Sequence, residues 1–167
     1  LYSTDGRIFL DFTSGIAVTN LGHCHPEIID TICNQSNELM HASNLFYNKI
    51  QPQLAEQLVE CTGLENAKCF FCNSGAEANE GMIKLARLWG SSSNKYEIIT
   101  MKQSFHGRTL ATLTATGQDK VKKGFGPLPK GFVYADYNNL DSVESLINPS
   151  TVAVMIESIQ GEGGVIP

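Results

Sequence analysis

The spacing of hydrophobic residues changes along the chain near residue 67. Before that point, after a short hairpin, apolar side chains recur at the intervals of amphipathic helices. After it they form short continuous runs, each followed by a polar or glycine-bearing turn. Alternation of buried strand and helix is typical of a parallel sheet covered by helices, so the fold class is predicted to be α/β, with a mostly parallel sheet and helices on both faces.

The N-terminal part is predicted to contain the hairpin and two helices. The hairpin covers residues 2–12, with Asp5 and Gly6 as a two-residue turn. Proline suits the first turn of a helix, which places the helix starts at Pro26 and Pro52. The apolar faces would be Ile28, Ile29, Ile32 and Cys33 in the first helix and Leu54, Leu58 and Val59 in the second, which ends near Gly63.

Four strands and two further helices are predicted in the C-terminal part. Continuous apolar runs suit strands that are buried on both faces. The helix after the first strand would end at Gly90 and bury Met82, Ile83, Leu85, Ala86 and Trp89. The strands are predicted at residues 67–72, 97–101, 132–134 and 151–156, and the last helix at 141–147.

Composition narrows the class of protein without identifying it. The chain has 167 residues, of which 42% are hydrophobic and 17% charged, as in ordinary globular domains. No uncharged apolar run of about 18 residues offers a membrane span. A net charge of -5 without a basic stripe excludes nucleic acid as a first choice of partner. Five cysteines without disulfide spacing favour a reducing compartment, the cytoplasm, or the mitochondrion in a eukaryote.

The segment at residues 73–79, Asn-Ser-Gly-Ala-Glu-Ala-Asn, is a candidate phosphate site. It lies where a predicted strand ends and a helix begins, so backbone N–H groups and the positive end of the helix dipole point to one place. Ser74 could add a hydroxyl donor, and Gly75 and Ala76 leave room for a ligand. The structural alternative is that Ser74 only caps the helix, with Glu77 as its capping-box partner.

A second polar segment follows the next predicted strand and should reach the same edge of the sheet. Phe105 offers a flat surface for a planar heteroaromatic ring, and Arg108 can hold a carboxylate in bidentate geometry. His106 could act as a base, although a structural or solvent-facing histidine is the ordinary interpretation. Core packing of Phe105 and a surface ion pair of Arg108 are the corresponding alternatives.

A third segment, residues 157–164, also follows a predicted strand and contains three glycines. Glu157 and Glu162 could form a general acid/base pair, or they could accept hydrogen bonds from nearby N–H groups. The spacing of Cys69 and Cys72 suggests a redox or zinc site. We reject it because both lie within a strand pattern and no second Cys/His pair supplies the other ligands, so no metal site is predicted.

Together these segments resemble the class III, fold-type I aminotransferases that use pyridoxal phosphate, and they look most like the members that act on acetylornithine. The resemblance extends over the whole chain. It implies the large cofactor-binding domain of that fold, incomplete at residues 51–167 and preceded by part of the N-terminal segment at residues 1–50. Further matching segments are residues 15–18, 20–26, 43–47, 115–118 and 124–128.

The resemblance also implies roles for individual residues. Glu162 matches a glutamate near the substrate entrance that in relatives pairs with an arginine and lets the site accept both an ω-amino donor and a 2-oxo acid. Ser158 replaces the proline common at that place. The implied contacts are Ser74, Gly75 and Ala76 with the cofactor phosphate, Phe105 with its pyridine ring, Arg108 and Glu162 with substrate, and Glu157 and His106 behind the cofactor site.

The implied reaction moves the terminal amino group of N2-acetylornithine to 2-oxoglutarate, a step of arginine biosynthesis. Ornithine, succinylornithine and 4-aminobutyrate are alternative donors, and a non-catalytic protein that binds a phosphate ligand is an alternative from another class. The family's Schiff-base lysine and the aspartate under the pyridine nitrogen match nothing in these 167 residues. We therefore expect the amino-terminal part of a longer enzyme, inactive alone, and by resemblance a homodimer.

Overall fold

The computed structural model describes all 167 residues and divides them into two compact units, Leu1–Ala67 and Lys68–Pro167. None of its helices has the length and apolar character that a membrane span requires. The predicted boundary between residues 50 and 51 refers to the domains of the family and stays a prediction.

The hairpin of the N-terminal unit lies where it was predicted, but its turn differs. The Gly6 amide donates to the Ser3 carbonyl at 3.0 Å, and the Ser3 amide donates to the Arg7 carbonyl at 2.9 Å. The loop therefore contains three residues, Thr4, Asp5 and Gly6, instead of the predicted two. Gly6 has a φ of 82°, the left-handed conformation that closes such a loop, and glycine adopts it without steric cost.

Both predicted helices of this unit are present, but neither is buried. The second begins at Ile50, two residues before Pro52, and is capped by Gly63 with a φ of 65°. No residue of either helix is buried, because a helix buries its apolar stripe only where a second layer covers it. The helical segments of the unit are α1 (Ser14–Ala17), α2 (Pro26–Glu38) and α3 (Ile50–Thr62).

The C-terminal unit contains a three-stranded parallel sheet, which confirms the predicted α/β class. The first of its strands in the chain is central, with the second and third on either side. The elements in chain order are α4 (Gly75–Gly90), β1 (Glu97–Met101), α5 (Leu110–Ala115), α6 (Asp119–Lys122), β2 (Phe132–Ala135), α7 (Leu140–Leu146) and β3 (Thr151–Val154).

Helices cover both faces of this sheet, as predicted. Ile98 of β1 packs with Ile83 of α4 and Ala115 of α5 on one face. Ile99 and Met101 point to the other face, where they form a second cluster with parts of β2 and α7. Alternate residues of a strand point to opposite faces, so the central strand connects both halves of the core. Burial on both faces holds for β1, whereas most of β2 and β3 is only half-buried.

The first predicted strand is wrong. Residues 67–72 pair with no strand in the structure. An apolar run becomes a strand only when a neighbour exchanges backbone hydrogen bonds with it, and the sheet contains only β1, β2 and β3. The sequence pattern describes the side chains of this segment, but it cannot supply the partner.

The predicted buried face of α4 is correct in part. Ile83 is buried and Ala86 packs against the same cluster, but Met82, Leu85 and Trp89 are between 59% and 74% exposed. The helix carries apolar residues on several sides, so their spacing cannot select which stripe meets the sheet. Its end at Gly90 is as predicted, and this position requires glycine because a Cβ there would lie 2.3 Å from the Lys95 carbonyl oxygen.

Candidate functional site

The N-terminus of α4 presents two backbone N–H groups without acceptors. Ser74 is the N-cap, and its hydroxyl oxygen accepts the Glu77 amide at 3.2 Å. The Glu77 carboxylate accepts the Asn73 amide at 2.6 Å, one residue before the position of a regular capping box. The amides of Gly75 and Ala76 have no partner within the chain. Capping by Ser74 and an anion site therefore coexist, because capping satisfies only part of the helix's first turn.

A glycine brings the second predicted segment against this helix end. Gly107 has a φ of 132°, and a Cβ placed on it would lie 2.9 Å from the Ala76 Cβ and 2.6 Å from the Thr112 hydroxyl oxygen. Only a residue without a side chain fits such an approach. Around Gly75, by contrast, a Cβ would meet no atom within 4 Å. We call the end of α4 that presents the Gly75 and Ala76 amides the cradle. It is open around Gly75 and is bounded on one side by the Gly107 backbone.

The third predicted segment joins the same edge of the sheet through Glu157. Its carboxylate accepts the Phe105 amide at 3.2 Å. Burial raises the pKa of the Glu157 carboxyl, the Phe105 amide opposes that shift, and the negative charge of Glu162 adds to it. Glu162 itself is exposed. The parallel strands β1 and β3 lie side by side, which brings the second and third segments together, whereas the first segment follows no strand and meets the second where the Gly107 backbone lies against Ala76.

Arg108 stands over Phe105 at the exposed side of the site. Its guanidinium carbon lies 5.3 Å from the centre of the Phe105 ring, which is cation–π distance. The Phe105 side chain is half-buried, so it does not belong to the core. Arg108 takes part in no ion pair. The guanidinium donors therefore remain available to a carboxylate.

His106 lies beneath the loop in the core and is only 4% exposed. Its Nε2 is 3.2 Å from the Thr100 hydroxyl oxygen, and its amide donates to the Thr116 hydroxyl at 2.9 Å. Burial lowers the pKa of the imidazole, which favours the neutral ring. This environment supports the structural interpretation of His106 and not its action as a base on a bound molecule.

The sequence interpretation missed four polar side chains around the site. Asn79 and Glu80 contact the loop that carries Arg108, and their three- and four-residue spacing from Ala76 on one helix face could have indicated this. Gln118 and Gln160 are buried and donate to the carbonyls of Ser104 and Lys102, each at 3.0 Å. No spacing in the sequence marks these two glutamines, because the groups that they bind are distant in the chain.

The cysteine pair lies in a different environment from the one predicted. Residues 67–72 form no strand, so the strand position is a wrong reason for rejecting a redox or zinc site. Cys69 and Cys72 are both exposed. No three His, Cys, Asp or Glu residues lie close enough together to hold a metal ion.

Sequence comparison gives the same family over the whole chain. The family model described as aminotransferase class-III matches residues 1–167. An acetylornithine aminotransferase from Halalkalibacterium halodurans is 50% identical over 99% of this chain and 42% of its own length. Those from Bacillus cereus and Methanocaldococcus jannaschii are 51% and 49% identical over 97% and 99% of this chain, and 41% and 42% of their lengths. The chain thus spans about two fifths of the length of these relatives.

Solved structures of similar fold are also aminotransferases. An ornithine aminotransferase from Toxoplasma gondii, described with partial occupancy of PLP at its active site, superimposes with a TM-score of 0.90 at 29% identity, over 99% of this chain and 40% of its own. The PMP-bound form of an aminotransferase from Vibrio fluvialis gives a TM-score of 0.88 at 26% identity, over 99% and 42% of the two chains. These matches confirm the predicted fold.

Proposed function

The chain belongs to the class-III aminotransferase family, and from this premise we propose that it serves pyridoxal-phosphate-dependent transfer of the terminal amino group of N2-acetylornithine to 2-oxoglutarate. Identities of 49–51% to acetylornithine aminotransferases support the acylated donor, against 29% to the ornithine aminotransferase structure. Enzymes that act on the alternative donors ornithine, succinylornithine and 4-aminobutyrate would share this fold and differ only in their substrate.

The observation that carries the proposal is the pair of unpaired amides at Gly75 and Ala76. They lie at the positive end of a 16-residue helix, beside a serine hydroxyl that can still donate its proton. These donors fit a phosphate monoester, and the half-buried Phe105 ring fits a planar heteroaromatic ring. When bound, pyridoxal phosphate supplies an electron sink for the carbon that loses its proton.

Arg108 accounts for recognition of both substrates in this proposal. N2-acetylornithine reacts at its terminal carbon and 2-oxoglutarate at its keto carbon, and each carries a carboxylate at the end of its carbon chain that is remote from the reacting carbon. A planar guanidinium binds such a group through two parallel hydrogen bonds. Glu162, exposed on the neighbouring loop, is the residue that we assign to the substrate entrance. Glu157 supports the site through the Phe105 amide.

The test is a transamination assay on the purified full-length protein that contains this chain, with pyridoxal phosphate, N2-acetylornithine and 2-oxoglutarate, and with glutamate as the measured product. Arg108→Ala should raise KM for 2-oxoglutarate by about tenfold or more, because hydrogen bonds to charged groups contribute about 1.5–3 kcal/mol each. Arg7→Ala is a matched control, since the Arg7 guanidinium also lies 5.3 Å from a phenylalanine ring, that of Phe9, but in the N-terminal unit.

Two results would contradict the proposal separately. A higher kcat/KM with 4-aminobutyrate or ornithine than with N2-acetylornithine would overturn the assigned donor and leave the cofactor in place. Failure of the full-length protein to bind pyridoxal phosphate, measured by equilibrium dialysis, would overturn the cofactor itself.

A further inference from the structure

Two side chains of α4 hold the ends of the loop that carries Arg108. The Asn79 side-chain amide donates to the His106 carbonyl at 2.8 Å. The Thr109 hydroxyl donates to the Glu80 carboxylate. Arg108 lies between His106 and Thr109, so the two hydrogen bonds attach the chain on both sides of it.

Arg108 has no hydrogen bond of its own within the chain. Neither its amide, its carbonyl nor its guanidinium has a partner there, and its one described contact is the Phe105 ring. The position of the guanidinium is therefore set by the neighbouring backbone. That backbone is attached to α4 at Asn79 and Glu80, one turn beyond Ala76 of the cradle.

The hydrogen bonds of Asn79 and Glu80 connect the cradle of α4 with the loop that carries Arg108. Gly107 packs its backbone against Ala76, which sets how closely the loop approaches the helix end. This contact is apolar and has no direction, and the other hydrogen bonds of the loop, from the Phe105, His106 and Thr109 amides, go to residues outside α4. The hydrogen bonds from Asn79 and to Glu80 are directional and fix the register of the loop along the helix.

We propose that Asn79 and Glu80 are positioning residues, which hold the Arg108 guanidinium at a fixed place beside the cofactor cradle of α4. This inference rests on the proposed function. Both side chains are half-buried at the surface of the unit and outside its two core clusters. Removing them should therefore change carboxylate recognition without unfolding the protein.

The first measurement needs no cofactor. Hydrogen–deuterium exchange of residues 105–109 should be about twofold to tenfold faster in Asn79→Ala and in Glu80→Ala than in the wild type, the range that corresponds to one lost hydrogen bond. Glu80→Gln keeps an oxygen that accepts the Thr109 hydroxyl, so it should restore slow exchange. Asn148→Ala is the matched control, because Asn148 also ties two segments together through its side-chain amide, at Glu97.

The second measurement separates positioning from stability. Asn79→Ala and Glu80→Ala should raise KM for 2-oxoglutarate by about twofold to tenfold while leaving the dissociation constant of pyridoxal phosphate unchanged. If they act through Arg108, neither should raise KM further in an Arg108→Ala background.

Wild-type exchange at residues 105–109 and wild-type KM in both alanine variants would overturn the inference and leave the proposed function standing. An additional rise of KM in the Arg108→Ala background would also overturn it, because the side chains would then act independently of Arg108. Absence of amino transfer from the full-length wild-type protein would overturn the proposed function and the substrate side of this inference together.

Discussion

Gly107→Ala is the substitution for which the structure predicts the largest effect at the site. The new Cβ would lie 2.6 Å from the Thr112 hydroxyl oxygen and 2.9 Å from the Ala76 Cβ, both closer than packed atoms allow. The backbone φ of 132° adds strain, because L-residues rarely adopt it. Backbone strain of this kind costs about 1–3 kcal/mol, and overpacking typically costs about 1–3 kcal/mol. We expect a loss of about 2–6 kcal/mol in the free energy of unfolding, or a displaced loop.

Urea unfolding followed by circular dichroism measures this loss as a lower midpoint at unchanged slope. Gly124→Ala is the matched control, since Gly124 has a φ of 92° but a Cβ there would meet no atom within 4 Å. It should show only the strain component. Equal losses in the two variants would refute the claim that close approach to Ala76 demands the glycine. An unchanged midpoint together with unchanged loop exchange in Gly107→Ala would refute both components.

Three further predictions follow from single side chains. Ser74→Ala should lower the free energy of unfolding by about 1 kcal/mol through loss of the helix cap. Ser74→Asp should keep the cap but weaken phosphate binding, measured by dialysis. Phosphate binding as tight in Ser74→Asp as in the wild type would contradict the cradle. Burial lowers the pKa of His106 below the ordinary 6.5, so the unfolded chain binds the proton more tightly than the folded chain. The free energy of unfolding should therefore fall as the pH drops below 6.5. In urea titrations at several pH values, His106→Gln should remove this pH dependence. Burial raises the pKa of Glu157 above 4.5, so the stabilising contribution of its neutral form is present below that value and is lost as the pH rises. Glu157→Gln should therefore gain stability relative to the wild type as the pH rises from about 4 to 7. A relative loss of stability over this range would contradict the direction of the shift.

Local chemistry was readable from the sequence because it depends on neighbours along the chain. The apolar run at residues 97–101, the helix that Ser74 caps and its end at Gly90 all depend on groups within a few residues of one another. Strand ends that carry polar segments also lie at one edge of any parallel sheet. For this reason the meeting of the segments at Phe105 and Glu157 follows from the sequence, whereas the segment at Ser74 reaches the same place although no strand precedes it.

Tertiary structure alone decided which faces are covered and which polar groups meet. Residues 67–72 have the composition of a strand but pair with no strand, and α4 turns Ile83 to the sheet while Trp89 stays exposed. The burial of His106 and the bond from Asn79 to its carbonyl join groups that are distant in the chain. Spacing along the sequence reports how apolar side chains are arranged on one element, whereas burial and long-range hydrogen bonds depend on the element that packs against it.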